Sequence, residues 1–96
     1  MSTDPKSDEF YARLKEQLAQ NSSWPSLYLY KFIVPANLEK IATIEAIFDN
    51  MTAEISTRES SKGTFTSVSI KVTMNSPEAV VQKYLEVSQV EGVISL

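Results

Sequence analysis

A chain of 96 residues, 43% apolar and 22% charged, has room for one modest core, because folding at this size buries roughly 60 to 65% of the unfolded surface. It contains no cysteine and no histidine, which excludes disulfides, Cys/His zinc sites and Ser-His or Cys-His nucleophile pairs. A net charge of -3 opposes the phosphate attraction behind most nonspecific nucleic-acid affinity, so nucleic acid is not expected as a partner.

The N-terminal stretch Met1-Ser-Thr-Asp-Pro-Lys-Ser-Asp-Glu9 is polar and acidic, unlike a secretory signal. No run approaches the ~20 apolar residues that span a bilayer. A cytoplasmic protein with no membrane partner is expected. Asp4-Pro5 suggests a helix cap followed by a first-turn proline, with Ser7 an alternative cap and Asp8 and Glu9 suited to the positive end of the helix dipole. Phe10, Leu14 and Leu18 then recur at helical spacing among charged residues, and Asn21-Ser-Ser23 ends the helix. The stripe is thin, so this helix is expected to be an appendage that docks on the core or on a partner.

Trp24-Pro25 opens the domain proper, since proline cannot donate a sheet hydrogen bond and belongs at a strand's start. Leu27 to Val34 has the length and residue types of a strand, and Pro35 stops it. Asn37 can cap a helix in which Leu38, Ile41, Ile44, Phe48 and Met51 lie three or four apart while Glu39, Lys40, Glu45 and Asp49 point away. Ala53 to Glu59 alternates weakly, Ser60-Ser61-Lys62-Gly63 is a turn, and Phe65 to Met74 alternates strongly, which together make a hairpin. Ser76-Pro77-Glu78 starts another helix, buried through Val80, Val81, Tyr84, Leu85 and Val87, and Gly92 to Leu96 is a short last strand.

The predicted fold class is α+β: a ferredoxin-like β-α-β-β-α-β sandwich, with a four-stranded antiparallel sheet in the order 4-1-3-2 and both later helices on one face. Residues 1–23 form an N-terminal helical extension, and residues 24–96 form the domain.

The hairpin string Ser60-Ser-Lys-Gly-Thr-Phe-Thr-Ser-Val-Ser-Ile70, with Trp24-Pro and Tyr30-Lys31 before it, resembles the YbeD-like family of small uncharacterised bacterial proteins, from about Trp24 to the C-terminus. The resemblance implies a ferredoxin-like domain related in shape to the ACT domains that sense small molecules, and it permits a regulatory role. Two departures stand out. Val34-Pro35 occupies the place of a glycine after the first strand, and Thr64 and Thr66 replace the more usual asparagine and histidine around the aromatic. Any function that depends on that imidazole would be missing here.

Strand parity gives the first candidate surface. If Tyr28, Tyr30, Phe32 and Val34 face the helices, then Leu27, Leu29, Lys31 and Ile33 face away, and on the third strand Phe65, Ser67, Ser69, Lys71 and Thr73 do the same. An open face with Leu29, Ile33 and Phe65 beside Lys31, Ser67, Ser69 and Lys71 is seldom left to water. The N-terminal helix, a second subunit, a protein partner or a small molecule are the alternative covers. RNA stacking on such sheets uses aromatics of the two central strands, and only Phe65 qualifies here.

The turn gives the second candidate. Gly63 can take positive φ and Ser60 and Ser61 can bond nearby amides, which is ordinary turn chemistry. The same hydroxyls, with exposed amides and Lys62, could instead form a small anion-binding concavity. Glu54, Arg58 and Glu59 are expected to be solvated strand charges, with no nucleophile or apolar pocket near them in sequence. Trp24 is expected to be a lid on the core.

The expected function is a noncatalytic regulatory or interaction module, with no cofactor and no metal. It would bind a protein partner or form a homodimer through the open face, with Lys31, Phe65, Ser67 and Ser69 touching the partner; these four and Ser60, Ser61, Lys62 and Gly63 of the turn are the candidate ligand or partner contacts. The rival expectation is an ACT-like sensor of an anion or amino acid.

Overall fold

A computed structural model describes residues 5–21 and 23–95. In chain order its elements are α1 (Pro5–Asn21), β1 (Ser26–Pro35), α2 (Leu38–Ile47), β2 (Ala53–Glu59), β3 (Phe65–Met74), α3 (Pro77–Val87) and β4 (Ile94–Ser95). The strands form one sheet in the order β2-β3-β1-β4, with every neighbouring pair antiparallel. From the other edge this is the 4-1-3-2 order of the ferredoxin-like sandwich.

Local chemistry explains the helix boundaries. The Asn37 side chain accepts from the Lys40 N–H at the start of α2, and the Ser76 hydroxyl accepts from the Ala79 N–H at the start of α3, with Pro77 in the first turn. α1 begins at Pro5, so the alternative cap Ser7 lies inside the helix rather than capping it, and the expected cap Asp4 lies outside the described residues.

Alternation places the core. Tyr30, Phe32 and Val34 of β1 and Val68, Ile70, Val72 and Met74 of β3 are buried against Ile44, Phe48, Val80, Tyr84 and Val87 from the helical layer. A one-residue slip of either strand would send these side chains to the opposite face, so burial of one face fixes the register. Aromatic rings fill the centre: Tyr30 stacks on Phe32 at 5.7 Å and meets Tyr84 edge-on at 4.9 Å between centroids.

Four details differ from the sequence expectation. Leu38 is 86% exposed and does not pack on the core, whereas Ile47 does. Leu38 occupies the first helical position, just after the chain leaves β1. In α3 the buried face is Pro77, Val80, Tyr84 and Val87, leaving Leu85 exposed and Val81 half-buried. Neighbouring residues on a helix diverge by about 100°, so Leu85 cannot share Tyr84's direction. The last strand is shorter than Gly92 to Leu96, because Gly92 has φ +84 and sits in a turn. Leu96 lies outside the described residues.

The fourth difference concerns α1. Its inward stripe is Tyr11, Leu14 and Leu18, while Phe10 is 61% exposed. The helix packs on α3, with the Tyr11 and Tyr84 rings 6.3 Å apart, and so lies on the helical side of the sheet. Trp24 ties its end down: the half-buried indole packs on the core as a lid and donates to the Leu18 carbonyl at 3.1 Å. That carbonyl belongs to the last turn of α1. The open sheet face is therefore not covered by α1.

Candidate functional site: the open sheet face

The face opposite the helices is built from cross-strand rows. Lys31 lies opposite Ser69, which lies opposite Ser56; Ile33 lies between Ile94 and Ser67, and Ser67 lies opposite Arg58. The row below holds Leu29, Lys71 and Glu54, and at the upper end Pro35 faces Phe65. Leu27, Leu29 and Ile94 are 60%, 62% and 53% exposed and Phe65 is 42% exposed. The parity of Leu27, Leu29 and Phe65 is the one the alternation implied.

The twist of the sheet and the base of the β2–β3 hairpin shape a shallow depression of about 810 Å³ on this face. It brings together Lys31, Ser60, Ser61, Phe65, Ser67 and Ser69. Lys62 and Gly63, at the hairpin tip, are exposed and do not line it. Ser56 and Arg58 do line it, and sequence reasoning did not select them as contacts. The weak alternation of β2 left its parity open, and only its pairing with β3 turns Ser56 and Arg58 toward Ser69 and Ser67. Ile94 was missed for the same kind of reason, since its place follows from pairing with Ile33.

Turn geometry accounts for much of the serine-serine-lysine-glycine string. The Ser60 carbonyl accepts from the Gly63 N–H at 2.9 Å, and Gly63 has φ +70, a left-handed conformation that glycine adopts without penalty. The Ser60 N–H donates to the Phe65 carbonyl at 2.8 Å, and the Ser60 hydroxyl accepts from the Phe65 N–H at 3.2 Å. The Ser60, Gly63 and Phe65 amides are thus engaged, and the serine hydroxyls and cationic side chains are among the donors left to an anion at this end of the face.

The cations lie apart from carboxylate partners. Among the described residues the ion pair is Lys83 with Glu86 on α3, at 3.6 Å, so Lys31, Arg58 and Lys71 form none. Glu54 lies across from Lys71 in register without closing a bridge. The face thus offers hydroxyls and positive charge beside exposed aliphatic and aromatic surface. On the helical side, burial raises the phenols of Tyr30 and Tyr84 above the ordinary tyrosine range, and the Tyr28 hydrogen bond raises Tyr84 further. Both stay neutral and structural.

Among the described residues no helix is long and apolar enough to cross a membrane. Comparison with curated proteins and with solved structures finds no match. Residues 19–96, which take in the end of α1 and the whole β-α-β-β-α-β unit, match the family described as "Protein of unknown function (DUF493)". The chain therefore belongs to the DUF493 family, an uncharacterised family with which the YbeD-like character of the hairpin string is consistent.

Proposed function

We propose that this chain is a noncatalytic regulatory or protein-interaction module that engages a protein partner through its open sheet face. The observation that carries the reading is the exposure of Leu27, Leu29, Phe65 and Ile94 on a face that α1 leaves uncovered. Apolar side chains of this kind flank Lys31, with Leu27 and Leu29 on one side and Ile33, Ile94 and Phe65 on the other, and exposed apolar surface bordered by polar groups marks interaction sites. Lys31, Ser67 and Ser69 supply the polar contacts that fix a partner's register, and Phe65 supplies the apolar anchor. The absence of cysteine in the sequence is in keeping with a cytoplasmic setting.

The test is capture from the native host with the parent chain and with Phe65→Ser as paired baits. Partners held by the parent and lost by the folded variant support the reading, and full retention of them overturns it. A second reading, an ACT-like sensor of an anion or amino acid, draws support from the hydroxyls of Ser56, Ser67 and Ser69 lying between Lys31 and Arg58. A sensor gains thermal stability from its ligand by mass action. A melt across phosphate, aspartate and glutamate separates the two readings.

A further inference from the structure

The sheet has an edge that its own chain leaves open. β2 pairs with β3 on one side, and among the described residues no strand lies on its other side. A seven-residue edge presents unpaired N–H and C=O groups that template another strand unless they are blunted. β2 contains no proline, and its charged residues are of both signs: Glu54, Arg58 and Glu59.

The geometry points to this edge as the seam of a symmetric dimer, in which β2 pairs antiparallel with β2 of a second copy about a twofold axis through Ser56. The pattern of charge singles out this register. Pairing centred on Ser56 sets Glu54 of each copy opposite Arg58 of the other, on the open-face side of the sheet. Shifting the centre by one residue in either direction sets Glu54 opposite Ser56 or Ser60, and neither shift pairs opposite charges directly. Because Glu54 also lies opposite Lys71 in its own copy, the row across the seam alternates in sign: Lys71, Glu54, Arg58 of the second copy. Cross-strand pairs of opposite charge favour their register, and like charges oppose it.

Packing supplies a second, independent reason. A groove of about 450 Å³ runs along the same edge on the helical side, lined by Ala42, Ala46, Phe48, Met51, Ala53 and Ile55. The twofold axis brings this groove against its own copy, adding apolar burial to the strand pairing. A stable pair buries about 800 Å² per partner, more than a short strand edge supplies by itself. Glu45 and Asp49 also line the groove, and with a net charge of -3 per chain they oppose association at low salt. The small side chains Ala42 and Ala46 allow the two α2 helices to approach.

The resulting sheet runs continuously through two sets of four strands. An axis perpendicular to a sheet keeps both open faces on one side, so the two depressions that hold Lys31 and Ser69 become neighbours. This inference stands apart from the open-face reading, since Phe65 lies on the face and not at the seam.

The native chain has no cysteine, which makes the test direct. Opposed residues of an antiparallel pair have Cα atoms about 4.5 to 5.5 Å apart, within disulfide reach. Ser56→Cys should therefore oxidise to a covalent dimer at least tenfold faster than Thr57→Cys, which would lie opposite Ile55 rather than its own copy. In sedimentation at about 0.15 M salt, Glu54→Arg and Arg58→Glu should each weaken dimerisation about tenfold, and the double reversal should restore it. Circular dichroism on each variant confirms the fold. Equal oxidation of the two cysteine variants, a parent chain that stays monomeric at millimolar concentration, or a double reversal no better than the singles would each overturn the proposal.

Discussion

The phenolic oxygens of Tyr28 and Tyr84 lie 2.8 Å apart, joining the start of β1 to α3 by a hydrogen bond. Tyr30 makes the companion link, donating to the Val80 carbonyl at 3.0 Å. Three hydroxyls thus find partners in an aromatic cluster that would otherwise exclude them, as buried polar groups must.

Tyr84→Phe removes the first of these links and should cost about 0.5 to 1.5 kcal/mol, because the half-buried Tyr28 hydroxyl can turn to water. The same variant should change the alkaline limb of stability. Burial, and then the Tyr28 hydrogen bond, raise the folded phenol of Tyr84, whereas the unfolded phenol titrates near 10. The tyrosine's contribution is therefore complete below about pH 10 and declines above it, as the unfolded chain loses a proton that the folded chain keeps. Urea titrations at intervals from pH 8 to pH 11.5 should show the parent losing about 1.4 kcal/mol per pH unit more than Tyr84→Phe on that limb. Parallel curves would mean that Tyr84 ionises as readily folded as unfolded.

Ile70 is fully buried at the centre of β3. Ile70→Ala should cost about 2 to 5 kcal/mol through lost transfer energy and a cavity, a large share of the stability of a domain this small. Leu38→Ala is the contrast: at 86% exposure the change should stay within about 0.5 kcal/mol. Denaturation midpoints of the two variants give the comparison.

At Gly63 an added β-carbon would meet only Glu59 Oε2, at 3.9 Å, so the cost of Gly63→Ala comes from φ +70 itself and should be roughly 1 kcal/mol or slightly more. Gly92 carries a heavier constraint. Its φ is +84 and a β-carbon there would lie 2.9 Å from Pro35 Cγ. Gly92→Ala should therefore destabilise more than Gly63→Ala, and thermal melts that rank them the other way would contradict the packing of Gly92 on Pro35.

Phe65→Ser should leave the monomer folded, because Phe65 is 42% exposed and lies on the face that α1 does not cover. Burying that ring against a partner would contribute roughly 1.5 to 3 kcal/mol to the complex. A thermal melt and partner capture with the same variant separate the effects. Unfolding with association unchanged would assign Phe65 to the monomer's packing.

The sequence by itself determined the order of elements, the caps at Asn37 and Ser76, the left-handed Gly63 and the inward faces of β1 and β3. Each of these follows from local chemistry or from a period-two pattern strong enough to be read without neighbours. Tertiary structure decided whatever depends on an element's partner. The inward stripe of α1 is Tyr11-Leu14-Leu18 rather than Phe10-Leu14-Leu18, because the helix docks on α3 and presents Tyr11 to Tyr84. Leu38 and Leu85 fit a helical period loosely, but the core reaches neither of them. Ser56, Arg58 and Ile94 joined the candidate face only when pairing fixed the direction of two weakly patterned strands. Side-chain direction in such strands is set by the hydrogen-bonded neighbour, which lies far away in the sequence.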